Sequence, residues 1–255
     1  MRLRYPGQHT ADPNITDLLA CSGIVKPASD CAVITVHHLN NSRSQRILWL
    51  LEELGVAYRI EHHQRDPRTM LAPASLKAVH PLGKSPVIVD GRNTLAESGA
   101  IVEYLADTYG QDLGLAPAAG TPERLRYSYW LHYAEGSAMP PLLMSLIFSK
   151  IKTAPMPFFV RPIAKAIADR AMAGYVGPQV QLHLEYMNAE LASRPWFVGK
   201  KFSAADIQMS FPIEAAAGRA EMDKYPHLAA YLKKIHARPA YQRALQKGGP
   251  YELMR

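Results

Sequence analysis

A β-branched run, Val33-Ile34-Thr35-Val36, leads within a few residues to Asn40-Asn41-Ser42 and then to an apolar stripe at Ile47, Leu50, Leu51 and Leu54. The run reads as a buried strand, the cluster as a helix start, and the stripe as a 3.6-residue period that Gly55 ends. Val56 to Ile60 reads as a second strand. Strand, helix and strand in this order make a right-handed crossover with two parallel strands. The pattern next predicts a weak helix over Met70 to Val79, a strand from Pro86 to Val89 and a turn at Asp90-Gly91. A strand at Thr94-Leu95 and a helix striped by Ile101, Tyr104, Leu105 and Tyr109 follow, closed by Gly110. Residues 31–112 therefore form a mixed α/β domain.

Residues 113–120, rich in Gly, Ala and Pro, read as a linker. Beyond it the strand signature disappears. Thr121-Pro122-Glu123 starts a helix that carries Trp130 and Tyr133 and that Pro140-Pro141 is expected to interrupt. Phe158 to Met172 and Gln179 to Leu191 read as helices, and Ser203 with Asp206 forms a capping-box-like start before Ile207. Residues 121–255 should be all α, and a chain of 255 residues accommodates two such domains.

Residues 1–30 read as a poorly ordered extension. The order Arg2, Arg4, Leu18-Leu19-Ala20-Cys21 superficially matches a lipoprotein signal, but Asp12, Pro13, Asn14 and Asp17 break the apolar segment that a signal requires. No apolar stretch is long enough to span a bilayer. Cys21 and Cys31 are the only cysteines, which builds no disulfide framework or cysteine metal site and fits a reducing, cytoplasmic compartment. The net charge of +7 comes without a run of five or six basic residues, so it reads as a solvated basic surface rather than a nucleic-acid site. His37, His38, His62 and His63 suggest a metal, yet adjacent histidines on a strand face opposite ways, and no metal is expected.

Strand-then-helix order invites comparison with thioredoxin. A redox site of that type needs Cys-x-x-Cys at the first helix, where this chain has Asn41-Ser42-Arg43-Ser44, so disulfide exchange there is excluded. The stretches Ser42 to Gly55, His80-Pro81-Leu82-Gly83-Lys84-Ser85-Pro86-Val87 and Leu95 to Ile101 with Tyr104-Leu105 nevertheless form an ordered set. With Phe197-Val198-Gly199 and Phe202 to Ile207 they resemble the motifs of the cytosolic glutathione S-transferase superfamily, nearest its serine-type bacterial and fungal members. The resemblance runs from residue 32 to about 245. It implies a thioredoxin-like α/β N-terminal domain plus an all-α C-terminal domain, glutathione as co-substrate, and a homodimer.

It also implies roles. A thiol of pKa near 8.5 is about 3% thiolate at pH 7, and lowering it by two units, worth about 2.7 kcal/mol, gives roughly 75%. One hydroxyl at a helix start supplies most of that. Ser42 is the matching hydroxyl, with plain helix capping as its alternative role and the amide of Asn41 as the alternative thiolate donor. Ser98 and Glu97, at a helix start, match the residues that hold the γ-glutamyl carboxylate and ammonium. Ser85 matches the residue that pairs its main chain with the cysteinyl part, before a cis Pro86. Lys84 matches a contact to the glycyl carboxylate. Apolar Met70-Leu71-Ala72 departs from the basic residues of related enzymes there, leaving Arg68 as one replacement. Trp130, Tyr133 and Met139, with Tyr129, Met144 and Phe148, are candidates for an electrophile pocket or for core.

The implied activity is conjugation of glutathione to an apolar electrophile, a detoxification chemistry. Peroxide reduction or dehalogenation would use the same thiolate. A non-catalytic module binding protein or nucleic acid is the alternative of another class, and it has no need of the full thiolate and γ-glutamyl set.

Overall fold

The computed structural model describes residues 33–253. The expected extension over 1–30 and both cysteines lie outside the described residues. Four strands, β1 (Ile34–Leu39), β2 (Tyr58–His63), β3 (Val87–Asp90) and β4 (Asn93–Ala96), form one sheet in the order β2-β1-β3-β4. β1 and β2 are parallel, as the crossover requires, while β3 runs antiparallel to both β1 and β4. Helices α1 (Ser44–Leu54), α2 (Ala74–Val79) and α3 (Ser98–Tyr109) complete this part. The weak helix expected from Met70 begins only at Ala74, because Met70 takes a left-handed φ of 59° and Pro73 starts the turn.

The remainder is helical: α4 (Pro122–Tyr133), α5 (Met139–Thr153), α6 (Arg161–Ala171), α7 (Gly177–Ser193), α8 (Ala204–Ala217), α9 (Pro226–His236) and α10 (Pro239–Gly248). Pro140-Pro141 does not break the helix as expected. A π-helical turn, Ala134–Ala138, lies between α4 and α5, and this wider turn absorbs the clash of the proline rings with the preceding carbonyls. A second π turn, Met172–Val176, joins α6 to α7 ahead of Pro178, so the two helices expected there run on as one rod.

The core is continuous from the sheet into the helices. α1 is buried from Ser44 through Glu52, with Ile47, Leu48, Trp49, Leu50 and Leu51 all at 0% exposure, because α3, α8 and α10 pack around it. Trp49 meets Tyr241 edge-on with centroids 5.2 Å apart. α8 is almost wholly buried and carries Pro212 in its interior, which frees the carbonyl of Gln208. Arg46 of α1 donates to that carbonyl at 2.6 Å, so the proline of one helix is satisfied by a guanidinium of another.

The start of α8 is held as the sequence indicates. Asp206 Oδ2 accepts from Ser203 N at 2.9 Å and Ser203 Oγ at 3.0 Å, and its Oδ1 accepts from Phe197 N at 2.9 Å. Burial pushes this carboxyl up to about 6, against those donors. No helix among the described residues is long and apolar enough to cross a membrane.

Candidate active site

The C-terminal end of β1 opens into Asn40-Asn41-Ser42, and the chain turns there through a left-handed φ of 48° at Asn41, which asparagine tolerates. This turn delivers Ser42 to the start of α1. Its hydroxyl is buried at 4% exposure and accepts from Ser44 N at 3.2 Å. It lies 2.8 Å from Ser44 Oγ and 3.4 Å from Ser85 Oγ. Ser44 Oγ continues the chain to His38 Nδ1 at 2.9 Å and accepts from Leu39 N at 3.2 Å. Burial lowers His38 to about 4, so its ring is neutral near pH 7. Ser44 and His38 were not singled out for this role from the sequence, since only the strand-to-helix turn brings them together.

Of the other candidates, Ser85 is brought against the Ser42 turn. Ser85 Oγ donates to the carbonyl of His37 at 3.1 Å, which fixes the loop before Pro86 against β1, and the Ser85–Pro86 bond is cis. Lys84 is exposed. Glu97 takes φ 72° and ψ 120°, a strained setting for a residue with a side chain, worth roughly 1–3 kcal/mol. That bend places Ser98 as the first residue of α3, buried at 3%, where the unpaired N–H groups of a helix start favour an anion. Asn41 Oδ1 accepts from Glu252 N at 2.7 Å, which ties the chain's end to the α1 turn.

Positive charge gathers around the turn. Arg43 donates to both Glu135 oxygens at 2.9 Å, and the fully buried Arg46 donates to Glu135 Oε1 as well. Burial opposes ionisation of Glu135, but the two guanidiniums hold its carboxyl below the usual range. Arg65 donates to Asn40 O at 3.3 Å and to Met70 O at 3.1 Å, and its amide donates to Asn40 Oδ1 at 2.9 Å. Burial, then the nearby Arg43 charge, lowers the Arg65 guanidinium. Arg68 is exposed, with its amide on Asp66 Oδ1. Arg65, which the sequence reading did not single out, is the basic residue that the fold ties to Asn40 and to Met70 O.

The three residues expected to wall an electrophile pocket are buried. Trp130 is at 0% exposure, 4.6 Å from Phe197 and 5.6 Å from Tyr186, and Tyr133 bonds His183 at 2.5 Å. Met139 is buried with them in the core. Trp130 and Tyr133 face α7, whereas the residue directed at Arg43 and Arg46 is Glu135. Trp130, Tyr133 and Met139 are thus core, the alternative that the helical spacing left open, whereas Tyr129 is 47% exposed and Met144 and Phe148 are half-buried. Two cavities lie elsewhere, of about 460 Å³ against α10 and residues 251–253 and about 490 Å³ between α7 and the end of α8.

A thioredoxin-like sheet is thus joined to a helical half, with a buried hydroxyl at the start of the first helix. Residues 42–108 match the description "Glutathione S-transferase, N-terminal domain" and residues 147–239 match "Glutathione S-transferase, C-terminal domain". The chain is 35% identical over 225 residues to glutathione S-transferase 1 of Saccharomyces cerevisiae, covering 84% of this chain and 95% of that protein. A glutathione S-transferase structure from Actinobacillus pleuropneumoniae is 34% identical with a TM-score of 0.72, covering 87% of this chain and 95% of that one. A sphingomonad glutathione S-transferase in complex with glutathione is 29% identical with a TM-score of 0.64, covering 84% and 98%. The chain belongs to the glutathione S-transferase superfamily and is an enzyme of that family.

Proposed function

We propose that this enzyme binds glutathione along the edge formed by Ser85, Glu97 and Ser98, stabilises its thiolate at Ser42, and adds that thiolate to an apolar electrophile. The observation that carries the reading is the buried Ser42 hydroxyl, 3.4 Å from Ser85 Oγ and supported from behind by Ser44 and His38. A hydroxyl used only as a helix cap has no need of that support. Glutathione bound to the sphingomonad relative favours the same ligand here. Residues 31–112 would take the tripeptide, and residues 121–255 would shape the electrophile site. Asn41 keeps its amide N–H₂ for the same sulfur, because its Oδ1 is engaged by Glu252.

The positive flank, Arg43 and Arg65 with the start of α1, favours an anion at this turn. We further propose a cytoplasmic homodimer. Its physical support is narrow: on α2 and α3, Leu76, Ile101, Val102 and Leu105 are all covered within the chain, and the exposed apolar residues nearby are Met70 and Leu71. Retention on immobilised glutathione followed by a turnover screen with halides, epoxides and hydroperoxides tests the activity. Conjugation of the halides and epoxides is the expected result. Hydroperoxide reduction alone would replace conjugation by peroxidase chemistry, and failure to bind glutathione would remove the site.

A further inference from the structure

We propose that His37, Glu61 and His63 form a binding site for one divalent transition-metal ion of the zinc type. The expectation against a metal rested on neighbours along one strand, and it holds for those pairs. Across strands the geometry differs. β1 and β2 are parallel with His37 opposite Glu61 and Leu39 opposite His63, so residues 37, 61 and 63 share one face of the sheet. His38 and His62 meet on the other face, rings 5.7 Å apart, with no carboxylate in their group.

The donor atoms already stand at coordination spacing. His37 Nδ1 is 3.2 Å from His63 Nε2 and 3.6 Å from Glu61 Oε2. Metal–ligand bonds of about 2.0–2.1 Å in a tetrahedral site set neighbouring ligand atoms roughly 3.3–3.4 Å apart. The three donors lie within 4.8 Å of one another, so the longest leg closes by a swing of Glu61. That side chain is 50% exposed and free to make it, although Arg59 competes at 3.9 Å. The imidazoles are buried, at 5% and 8% exposure, and cannot wander.

A partner from α2 orients one ligand. Ser75 Oγ bonds His63 Nδ1 at 3.0 Å, which directs Nε2 toward His37, the arrangement in which the second ring nitrogen of a metal-bound histidine is held by its own partner. Two imidazoles and one carboxylate select zinc, cobalt, nickel or copper over calcium and magnesium, and three protein ligands leave a position open to solvent beside Glu61. The Ser42 hydroxyl chain runs instead through Ser44 to His38, on the other face of β1. None of the side chains of that hydroxyl chain is a proposed metal ligand.

The test is titration of chelator-treated full-length protein with Co²⁺, followed by its visible d–d bands, and with Zn²⁺ by calorimetry. One ion per chain is expected, with affinity falling at least about tenfold in Glu61→Gln and lost in His63→Gln. His62→Gln, on the opposite face, should bind as the unchanged protein does. Glu61→Gln alters a half-exposed side chain, so circular dichroism should show it folded, and it decides the matter even if His63→Gln unfolds. Absence of a stoichiometric Co²⁺ band, or equal binding by Glu61→Gln and the unchanged chain, overturns the site. Equal loss in His62→Gln does so as well.

Discussion

Ser42→Ala removes one proton donor whose alternatives can be counted. The Ser44 hydroxyl, 2.8 Å away, can donate to Ser42, leaving the Ser42 proton, among the described residues, only Ser85 Oγ at a long 3.4 Å. That proton is therefore available to a sulfur anion in front of it. A hydrogen bond to a charged group contributes roughly 1.5–3 kcal/mol, which at 1.36 kcal/mol per unit is about 1.1–2.2 units of thiol pKa. From a bound thiol near 6.5, the variant would sit at roughly 7.6–8.7, and the thiolate at pH 7 would fall from about 75% to about 20–2%. Turnover at pH 7 should then fall about 4- to 40-fold, while glutathione affinity changes little and the deficit narrows as pH rises above the new pKa. The assay is ultraviolet titration of the bound thiolate alongside kcat against pH, with a melting curve, because Ser44 N–H also loses its acceptor. Unchanged titration and kcat in Ser42→Ala, with both lost in Asn41→Ala, would refute the assignment and make Asn41 the donor.

Ser98→Ala and Glu97→Gln should weaken glutathione binding while sparing the chemical step, since both are proposed to hold the γ-glutamyl end of the tripeptide and not its sulfur; calorimetry reads this, and unaltered affinity in both removes them from the site. Glu52 should supply acid-sensitive stability: burial would raise its carboxyl, but Lys247, Tyr58 and Arg243 hold it at about 2. Its folded pKa lies below the unfolded value, so the stabilisation is complete above about pH 4.5 and fades toward about pH 2; with half-exposed basic partners it is on the order of 1–2 kcal/mol. The melting-temperature gap between the unchanged chain and Glu52→Gln should close over that window, and a constant gap would refute it. Asp206→Ala should strip acceptors from the buried Phe197 and Ser203 N–H groups, costing about 2–5 kcal/mol, and an unchanged melting temperature with lost activity would make Asp206 functional instead. Sedimentation at micromolar concentration should show a dimer; a single species near 28.3 kDa would sink it.

Elements governed by local chemistry were legible from the residues. The β1-α1 switch of period, the Gly55 stop with its left-handed φ of 66°, and the Ser203–Asp206 start of α8 each rest on interactions within a few residues. What was not legible depends on contacts between distant segments. Pro140-Pro141 looks like a break until a π turn is available upstream, and the Trp130–Tyr133 stripe points to a pocket or a core with equal grace until α7 lies against it. Ser44 and His38 are six residues apart and unremarkable in the sequence, yet the turn between them stacks both behind Ser42. The same blindness hid His37 from His63, because the register of two parallel strands is set by a crossover helix and not by either strand alone.

Arg46 shows how the site and the packing of the helices share one support. Its guanidinium is buried between the carboxylate of Glu135, just past α4, and the carbonyl that Pro212 frees in α8. An uncompensated guanidinium at 2% side-chain exposure is untenable, so α1, α4 and α8 must adopt a common arrangement for it to be satisfied. Arg43, three residues earlier on the same turn, donates to both oxygens of the same Glu135 and stands next to Ser42. The position of the α1 start, and with it the direction of the Ser42 hydroxyl, is thus set by helices far along the chain. If Ser42 holds the thiolate as proposed, Glu135→Gln should change the thiolate titration as well as the melting temperature, because Glu135 anchors both arginines of the turn that carries the serine, and an unchanged titration would confine Glu135 to packing.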